Sequence, residues 1–149
     1  MARVLVQQAV FDVAAETAAL SAGRTDVGGI ASFIGICRAD DGLAAMTLEH
    51  YPGMTERALA AIAAQAESRW PLTGCTVIHR HGRMLPGEPI VLVLTASRHR
   101  IAALESCAFL IDWLKTRAPF WKAEEFADGT TRWVEAKAED DAATARWGA

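Results

Sequence analysis

Residues 114–126 read LKTRAPFWKAEEF, and this stretch contains the change from helix to strand that decides the fold class. The apolar residues that lead into it recur at spacings of three and four, which predicts one face of a helix: Leu104, Cys107, Ile111 and Leu114. The residue before a proline avoids the α region, so this helix should end before Ala118. From Pro119 onward the chain should be extended. A long helix that leads directly into a strand is typical of an α+β domain.

Three cations lie within eight positions of this stretch, namely Lys115, Arg117 and Lys122. Lys115 taken alone is explained by its place in the last turn of the helix, where a cation complements the helix dipole. Lys122 differs because its neighbours Phe120 and Trp121 favour burial. A lysine in such a segment can line a partly desolvated cleft, where its pKa falls and it can act as a base or nucleophile. An ammonium that extends into solvent is the commoner arrangement, and both readings stay open at this point.

The segment from Pro119 to Glu125 should be extended or irregular at its start, and if it is a strand, alternation assigns its faces. Phe120, Lys122 and Glu124 should share one face, while Trp121 and Ala123 share the other. Glu124 would then either hold the Lys122 ammonium in place or neutralise it.

The rest of the chain alternates between short strands and helices. We expect strands at 4–8, 30–38, 43–51, 75–84, 89–97 and 131–136, and helices at 12–19, 55–70 and from 98 to before 118. Asp12 and Ser97 should cap the first and last of these helices. The strand at 43–51 should return beside the strand at 30–38, and Gly35 suggests a bulge or a close backbone approach. These elements predict a single α+β domain over residues 1–149, with a mixed or antiparallel sheet and two main helices.

Composition and charge exclude several classes of protein. The 149 residues are 52% apolar with a net charge of −3, which fits one folded domain and gives no indication of nucleic-acid binding. No apolar run reaches the length of a membrane span, and the N-terminus lacks the pattern of a signal peptide. Cys37, Cys75 and Cys107 are odd in number and far apart, which fits a reducing compartment. We therefore expect a cytoplasmic protein that binds neither nucleic acid nor membrane.

The segment SRHR at 97–100 contradicts the usual preference for acidic residues at the start of a helix. With Ser97 as the cap, Arg98, His99 and Arg100 would fill the first turn, where a bound phosphate or carboxylate would offset the positive potential. The alternative is that these side chains reach water or an acidic neighbour. Arg38, at the end of an apolar strand, is open to the same two interpretations.

Two further candidates carry weaker signals. His79 and His81 lie on one predicted strand face, so a metal is conceivable, but no third ligand has suitable spacing and an exposed strand is favoured. Cys37 adjoins Arg38, which would lower the pKa of its thiol, yet alternation turns the two side chains to opposite faces. We therefore predict no metal site and no nucleophilic cysteine.

Five segments, taken together, resemble the large, catalytic subunit of molybdopterin synthase: TLEHYPGMTERAL (47–59), RWPL (69–72), VIHRHG (77–82), SRHR (97–100) and FLIDWLKTRAPFWKAE (109–124). The likeness runs in order from about Gly28 to about Ala136, which marks the expected core of the domain and leaves 137–149 as a C-terminal tail.

This resemblance implies an α/β hammerhead-type fold and a homodimer at the centre of a heterotetramer. In that family each large subunit binds a small ubiquitin-like sulfur carrier, whose Gly-Gly tail ends in a thiocarboxylate. The reaction places two sulfurs on cyclic pyranopterin monophosphate and yields the dithiolene of molybdopterin. It uses no further cofactor, and its pocket draws residues from both protomers.

The resemblance also implies a set of site residues. The basic pocket residues of the family correspond to Arg38, His99, Arg100, Lys115 and Lys122, with Lys115 and Lys122 as the catalytic pair. The segments that flank its substrate contacts correspond to Ile36, Cys37, Ala123 and Glu124. Ile36 stands where some members have Lys and Ala123 where they have Arg, so contacts through side-chain charge are lost there.

Two other functions remain compatible with the residues alone. A phosphate-ester hydrolase or lyase would use the same cationic pocket but would act without a carrier protein. A non-catalytic module that binds a ubiquitin-like tail would tolerate the loss of Lys122 and keep its partner.

Overall fold

The computed structural model describes residues 1–134 and 138–148 of the chain. In chain order the elements are β1 (Arg3–Gln7), α1 (Val13–Ser21), β2 (Gly29–Ile36), β3 (Leu43–His50), α2 (Met54–Arg69), β4 (Leu72–Arg80), β5 (Gly82–Met84), β6 (Pro89–Ser97), α3 (Arg100–Thr116), β7 (Phe120–Phe126), β8 (Thr131–Val134) and α4 (Ala138–Ala145).

The strands form two four-stranded sheets. The first has the order β1-β4-β6-β2 and is mixed, because β1 runs parallel to β4. The second has the order β5-β3-β7-β8 and is antiparallel. The two long helices, α2 and α3, have 16 and 17 residues. The predicted α+β class with two main helices is therefore confirmed.

Apolar side chains are buried on both faces of the first sheet. Helices α2 and α3 cover one face, where Leu59 and Leu110 pack against Val77 and Val93. The short helix α1, capped by the Asp12 carboxylate as predicted, covers the other face. A third cluster lies on the inner face of the second sheet: Cys37, Met46, Leu48 and Met84.

The sheet partners differ from the prediction at two places. The strand at 43–51 was expected to pair with the strand at 30–38, but β2 pairs with β6 in the first sheet and β3 with β5 and β7 in the second. Asp41 and Gly42 both have positive φ in the intervening turn, which redirects the chain. The single strand expected at 75–84 is divided between the sheets, because Gly82 (φ 97°) bends the backbone after β4.

Gly35 behaves as predicted. The register between β2 and β6 shifts at Gly35 and Ile36, and a Cβ at Gly35 would lie 2.7 Å from a methyl group of Val91. The bulge and the close approach therefore occur together.

Ser97 does not cap α3. Strand β6 continues through Ser97, whose buried hydroxyl donates to the Pro71 carbonyl at 2.9 Å. The helix begins at Arg100 with His99 at the N-cap position, and the His99 side chain makes no capping hydrogen bond. Arg98 thus precedes the helix.

The C-terminal residues pack on α3. The Trp147 indole donates to the Asp112 carboxylate at 2.6 Å, and the Thr144 hydroxyl donates to the Asp112 carbonyl at 2.7 Å. Residues 135–137 and 149, which include the end of the strand predicted at 131–136, lie outside the described residues. Within the described ranges no helix is long and apolar enough to cross a membrane.

Candidate functional site

Lys122 lies on the inner face of the second sheet. It sits in β7 opposite Leu48 of β3 and Val134 of β8, and its side chain is half-buried. Glu124 lies on the same face, as alternation predicted. Both residues act on the buried Cys37 thiol: burial raises the pKa of Cys37, Lys122 opposes the rise, and Glu124 adds to it. Lys122, Glu124 and Cys37 therefore face one region between the two sheets.

Glu124 forms an ion pair that the sequence did not suggest. Its carboxylate accepts from the Arg132 guanidinium of β8 at 3.2 Å. Arg132 also stacks over the Phe126 ring at 5.0 Å. Strand β8 thus supplies a cation next to the inner face that carries Lys122, so the charge of Glu124 is already balanced by Arg132.

His79 connects Lys122 to Lys115. The His79 ring stacks on Phe120, with ring centroids 3.9 Å apart and planes inclined by 20°. Burial lowers the pKa of His79 to about 4, and the nearby ammonium of Lys115 contributes in the same direction. Since Phe120 and Lys122 share a strand face, both lysines belong to the same end of the molecule.

The strand end at Ile36, Cys37 and Arg38 lies at this end too. The Cys37 amide donates to the Glu88 carbonyl at 2.9 Å, which continues the pairing of β2 with the start of β6. Ile36 is exposed, and the exposed Arg38 forms an ion pair with Asp40 at 3.1 Å.

Ala123 faces away from this region. Its side chain lies on the outer face of β7, where it is paired with Thr47 and Trp133. Trp121 lies on the same outer face and is 47% exposed, so the expectation that it favours burial is wrong. Ala123 therefore reaches the Lys122 side only through its backbone.

His99 and Arg100 lie at the start of α3, whereas Lys115 lies in its last turn. Helix α3 has 17 residues between Arg100 and Thr116, which corresponds to about 25 Å. The pairing of β2 with β6 shows the same separation. Gly29, at one end of β2, lies opposite Ser97, which is close to the start of α3, whereas Ile36, at the other end, lies opposite Pro89. One chain therefore divides the predicted basic residues into a lysine end, which includes Arg38, and a helix-start end.

His79, in β4, and His81, directly after it, do not lie on the exposed strand that was expected. His79 is buried, as is every residue of β4 from Cys75 to Arg80, and the apolar Val77 and Ile78 directly before it are the signal that could have predicted its burial. His81 instead lies against His50, with ring centroids 4.1 Å apart. Among the described residues no group of three or more His, Cys, Asp or Glu side chains is placed to hold a metal ion.

An open cleft of about 380 Å³ lies elsewhere on the surface. It is formed by α3 and the C-terminal residues, and none of the predicted site residues line it: Leu104, Glu105, Ala108, Arg146 and Trp147.

Comparisons with known proteins agree on one family. Residues 6–117 match the model of the MoaE protein family. A molybdopterin synthase catalytic subunit of Mesorhizobium japonicum is 58% identical over 146 residues, covering 97% of this chain and 92% of the relative. One of Brucella melitensis is 51% identical over 146 residues, covering 97% and 90%. The solved structure of a molybdopterin biosynthesis MoaE protein from Burkholderia ambifaria is 52% identical, has a TM-score of 0.85, and is matched over 100% of this chain and 99% of that one.

Proposed function

The chain belongs to the MoaE protein family, and from that premise we propose that it is the catalytic subunit of a molybdopterin synthase. Its reaction transfers two sulfurs from the C-terminal thiocarboxylates of a small ubiquitin-like carrier to cyclic pyranopterin monophosphate. The observation that carries the proposal is the half-buried Lys122 on an inner strand face, at the same end of the molecule as Lys115.

Each transfer needs two steps. The thiocarboxylate sulfur first forms a bond to a substrate carbon, while the bond from that carbon to an oxygen substituent breaks; the oxygen leaves with the bonding electron pair, as water after accepting a proton or, where the cyclic ester opens, on the phosphate. Water then adds to the carbonyl of the resulting thioester, the carrier's bond to sulfur breaks, and the carrier leaves as a carboxylate with the sulfur on the substrate. Both steps need a proton donor or acceptor and a cation near a developing oxyanion.

Lys122 and Lys115 suit these tasks. The half-buried ammonium of Lys122 stabilises an oxyanion more strongly than one in bulk water, because the surrounding dielectric is lower; Lys115 is exposed and acts on the His79 ring nearby. We assign Lys122 and Lys115 to the thioacid carbonyl and the leaving oxygen. Cys37 is not assigned a chemical step, because burial raises the pKa of its thiol and the sulfur arrives on the carrier.

The phosphate of the substrate requires further cations. At the start of α3, Arg100 provides a forked donor and His99 an imidazole beside a helix N-terminus, and together these groups favour a phosphate. We propose that they serve the lysine end of a second copy of the chain, because about 25 Å of helix separates them from the lysines of their own chain.

A two-fold dimer over β2 would achieve this. β2 is an edge strand of the first sheet, and it carries exposed Phe33, Ile34 and Ile36, with Ile101 exposed on the helix that packs over it. A two-fold axis through the middle of β2 brings the Gly29 end of one protomer to the Ile36 end of the other. Each pocket would then combine the lysines and Arg38 of one protomer with the helix start of its partner.

The first experiment measures molybdopterin formed from the purified chain, a thiocarboxylated carrier and cyclic pyranopterin monophosphate. Lys122→Ala should abolish turnover and Lys115→Ala should reduce it severely, with both variants still folded. Arg83→Ala is the matched control, because Arg83 lies on the outer face of the second sheet in an ion pair with Glu125. Product formation by Lys122→Ala at the wild-type rate would refute its catalytic role.

The same assay separates the two other functions. A module that only binds the carrier tail would retain the carrier and form no product with the wild-type chain. A phosphate-ester enzyme would consume the substrate without the carrier.

Mixed dimers test the shared pocket. Lys122→Ala and Arg100→Ala chains should each be inactive alone, but one of the two pockets in a mixed dimer would contain both native residues. Random exchange of protomers should therefore restore about one quarter of the wild-type activity. No restoration despite demonstrated exchange would show that Lys122 and Arg100 do not share a pocket across protomers.

We also propose that the protein acts in the cytoplasm. All three cysteines are buried free thiols, and such thiols persist in a reducing compartment.

A further inference from the structure

The segment between the two lysines is held at Pro119 by α2. The hydroxyl of Thr55, which is fully buried at the start of that helix, donates to the Pro119 carbonyl at 3.0 Å. The same hydroxyl accepts from the Tyr51 amide at 2.8 Å, so both its donor and an acceptor site are used. The connection from Lys115 to Lys122 therefore has one fixed point in its backbone.

The second fixed point is the stack of His79 on Phe120. His79 belongs to the first sheet and Phe120 to the second, so the stack joins the two sheets. The orientation of the ring is set by Nδ1, which lies 2.8 Å from the Arg80 carbonyl. A carbonyl only accepts, so Nδ1 carries the proton and the neutral ring leaves Nε2 as an acceptor.

Phe120 transmits this position to Lys122. The two residues are separated by one position on the same face of β7, so the packing of the Phe120 ring fixes the strand segment next to Lys122. On the other side, the Lys115 charge is close enough to act on the His79 ring. His79 thus contacts Phe120, the strand neighbour of Lys122, and lies within the electrostatic influence of Lys115.

We propose that His79 is a positioning residue, whose ring is the platform that sets Lys122 relative to Lys115 through Phe120. This inference rests on the proposed function, because it assigns His79 to the geometry of that reaction. His79 itself touches neither reactant in this role.

The test compares two substitutions in the full-length chain with carrier and substrate. His79→Phe keeps a planar ring for the stack and removes the hydrogen bond, whereas His79→Asn keeps a donor and removes the ring. His79→Asn should lower kcat about 10- to 100-fold, since small misplacements of catalytic groups have effects of that size. The KM for the carrier should stay unchanged, and His79→Phe should retain most of the wild-type kcat.

Adjacent aromatics on β7 supply the control. Phe120→Leu removes the stack from its other side and should lower kcat as His79→Asn does, and the double variant should be no worse than either single variant. Trp121→Leu makes the same change on the outer face, where Trp121 is exposed, and should leave kcat at the wild-type value. If His79→Asn does not fold, Phe120→Leu decides the question with the same measurements.

A second readout does not depend on turnover. Acylation of Lys122 and Lys115 by a small reagent, followed by peptide mass spectrometry, should show faster labelling of Lys122 in His79→Asn but not in His79→Phe. A folded His79→Asn variant with wild-type kcat and wild-type labelling would overturn the proposal, and so would a His79→Phe variant as slow as His79→Asn. Absence of product with the wild-type chain would refute the proposed function instead, and the labelling would still test the positioning.

Discussion

The burial of His79 predicts a loss of stability in mild acid. Burial lowers the pKa of this side chain from 6.5 to about 4. Between these values the unfolded chain binds a proton that the native chain does not, so the free energy of unfolding falls as the pH falls. The difference between these two pKa values corresponds to a loss of about 3 kcal/mol in the free energy of unfolding. This loss is absent at pH 7, begins as the pH falls below 6.5 and is complete below pH 4.

Urea unfolding between pH 7 and pH 4 measures this quantity. The wild-type chain should lose about 3 kcal/mol more than His79→Phe over that interval, because phenylalanine cannot bind the proton. The comparison cancels the contribution of His81, whose pKa is also lowered by burial and by His50. His99→Phe, at an exposed site, controls for the loss of one histidine.

If the free energy of unfolding depended on pH equally in wild type and in His79→Phe, this reasoning would be refuted. That result would mean that His79 takes up a proton in the native chain as readily as in the unfolded one. The stack on Phe120 would then have to accommodate an imidazolium beside Lys115.

Three other predictions concern single side chains. Cys37→Ser should keep its sulfur-transfer activity in the molybdopterin assay, because the thiol is buried and takes no chemical step; loss of activity in a folded variant would contradict this. Gly28→Ala should lower the free energy of unfolding in urea by about 2–4 kcal/mol, since the new Cβ would meet the Arg98 carbonyl oxygen. Gly29→Ala is the control: the nearest atom to its new Cβ is 4.0 Å away, so the loss should be under about 1 kcal/mol. Arg80→Met should lower the free energy of unfolding by about 1–3 kcal/mol, because it leaves the Gln8 and Pro89 carbonyls without their donor, while the exposed Glu88 carboxylate returns to water. An unchanged free energy of unfolding in urea titration would show these bonds to be dispensable.

Much of the local structure was predictable from the sequence. The cap at Asp12, the end of α3 before Ala118 and the shared strand face of Lys122 and Glu124 all follow from spacing or from the chemistry of one residue. These features depend on neighbours within a few positions along the chain, and periodicity reports such neighbours directly.

Other local expectations were wrong because a tertiary contact competed with them. Ser97 is a good helix cap by its chemistry, but its backbone is held in β6 by strand pairing, so the helix starts later and the Ser97 hydroxyl oxygen accepts instead from the His99 amide, at 3.5 Å. Trp121 favours burial by its size, but the inner face of β7 is occupied by Phe120 and Lys122, so Trp121 lies on the outer face and is exposed.

The sequence by itself determined which residues are cationic, which strand faces they occupy and which family the motifs resemble. Only the tertiary structure decided that β2 and β3 belong to different sheets, that His79 lies beneath Phe120, and that α3 separates His99 from Lys115 by its whole length. The physical reason is that alternation specifies the side of a strand but not its partner. Strand partners and distances between helix ends are set by contacts between residues far apart along the chain.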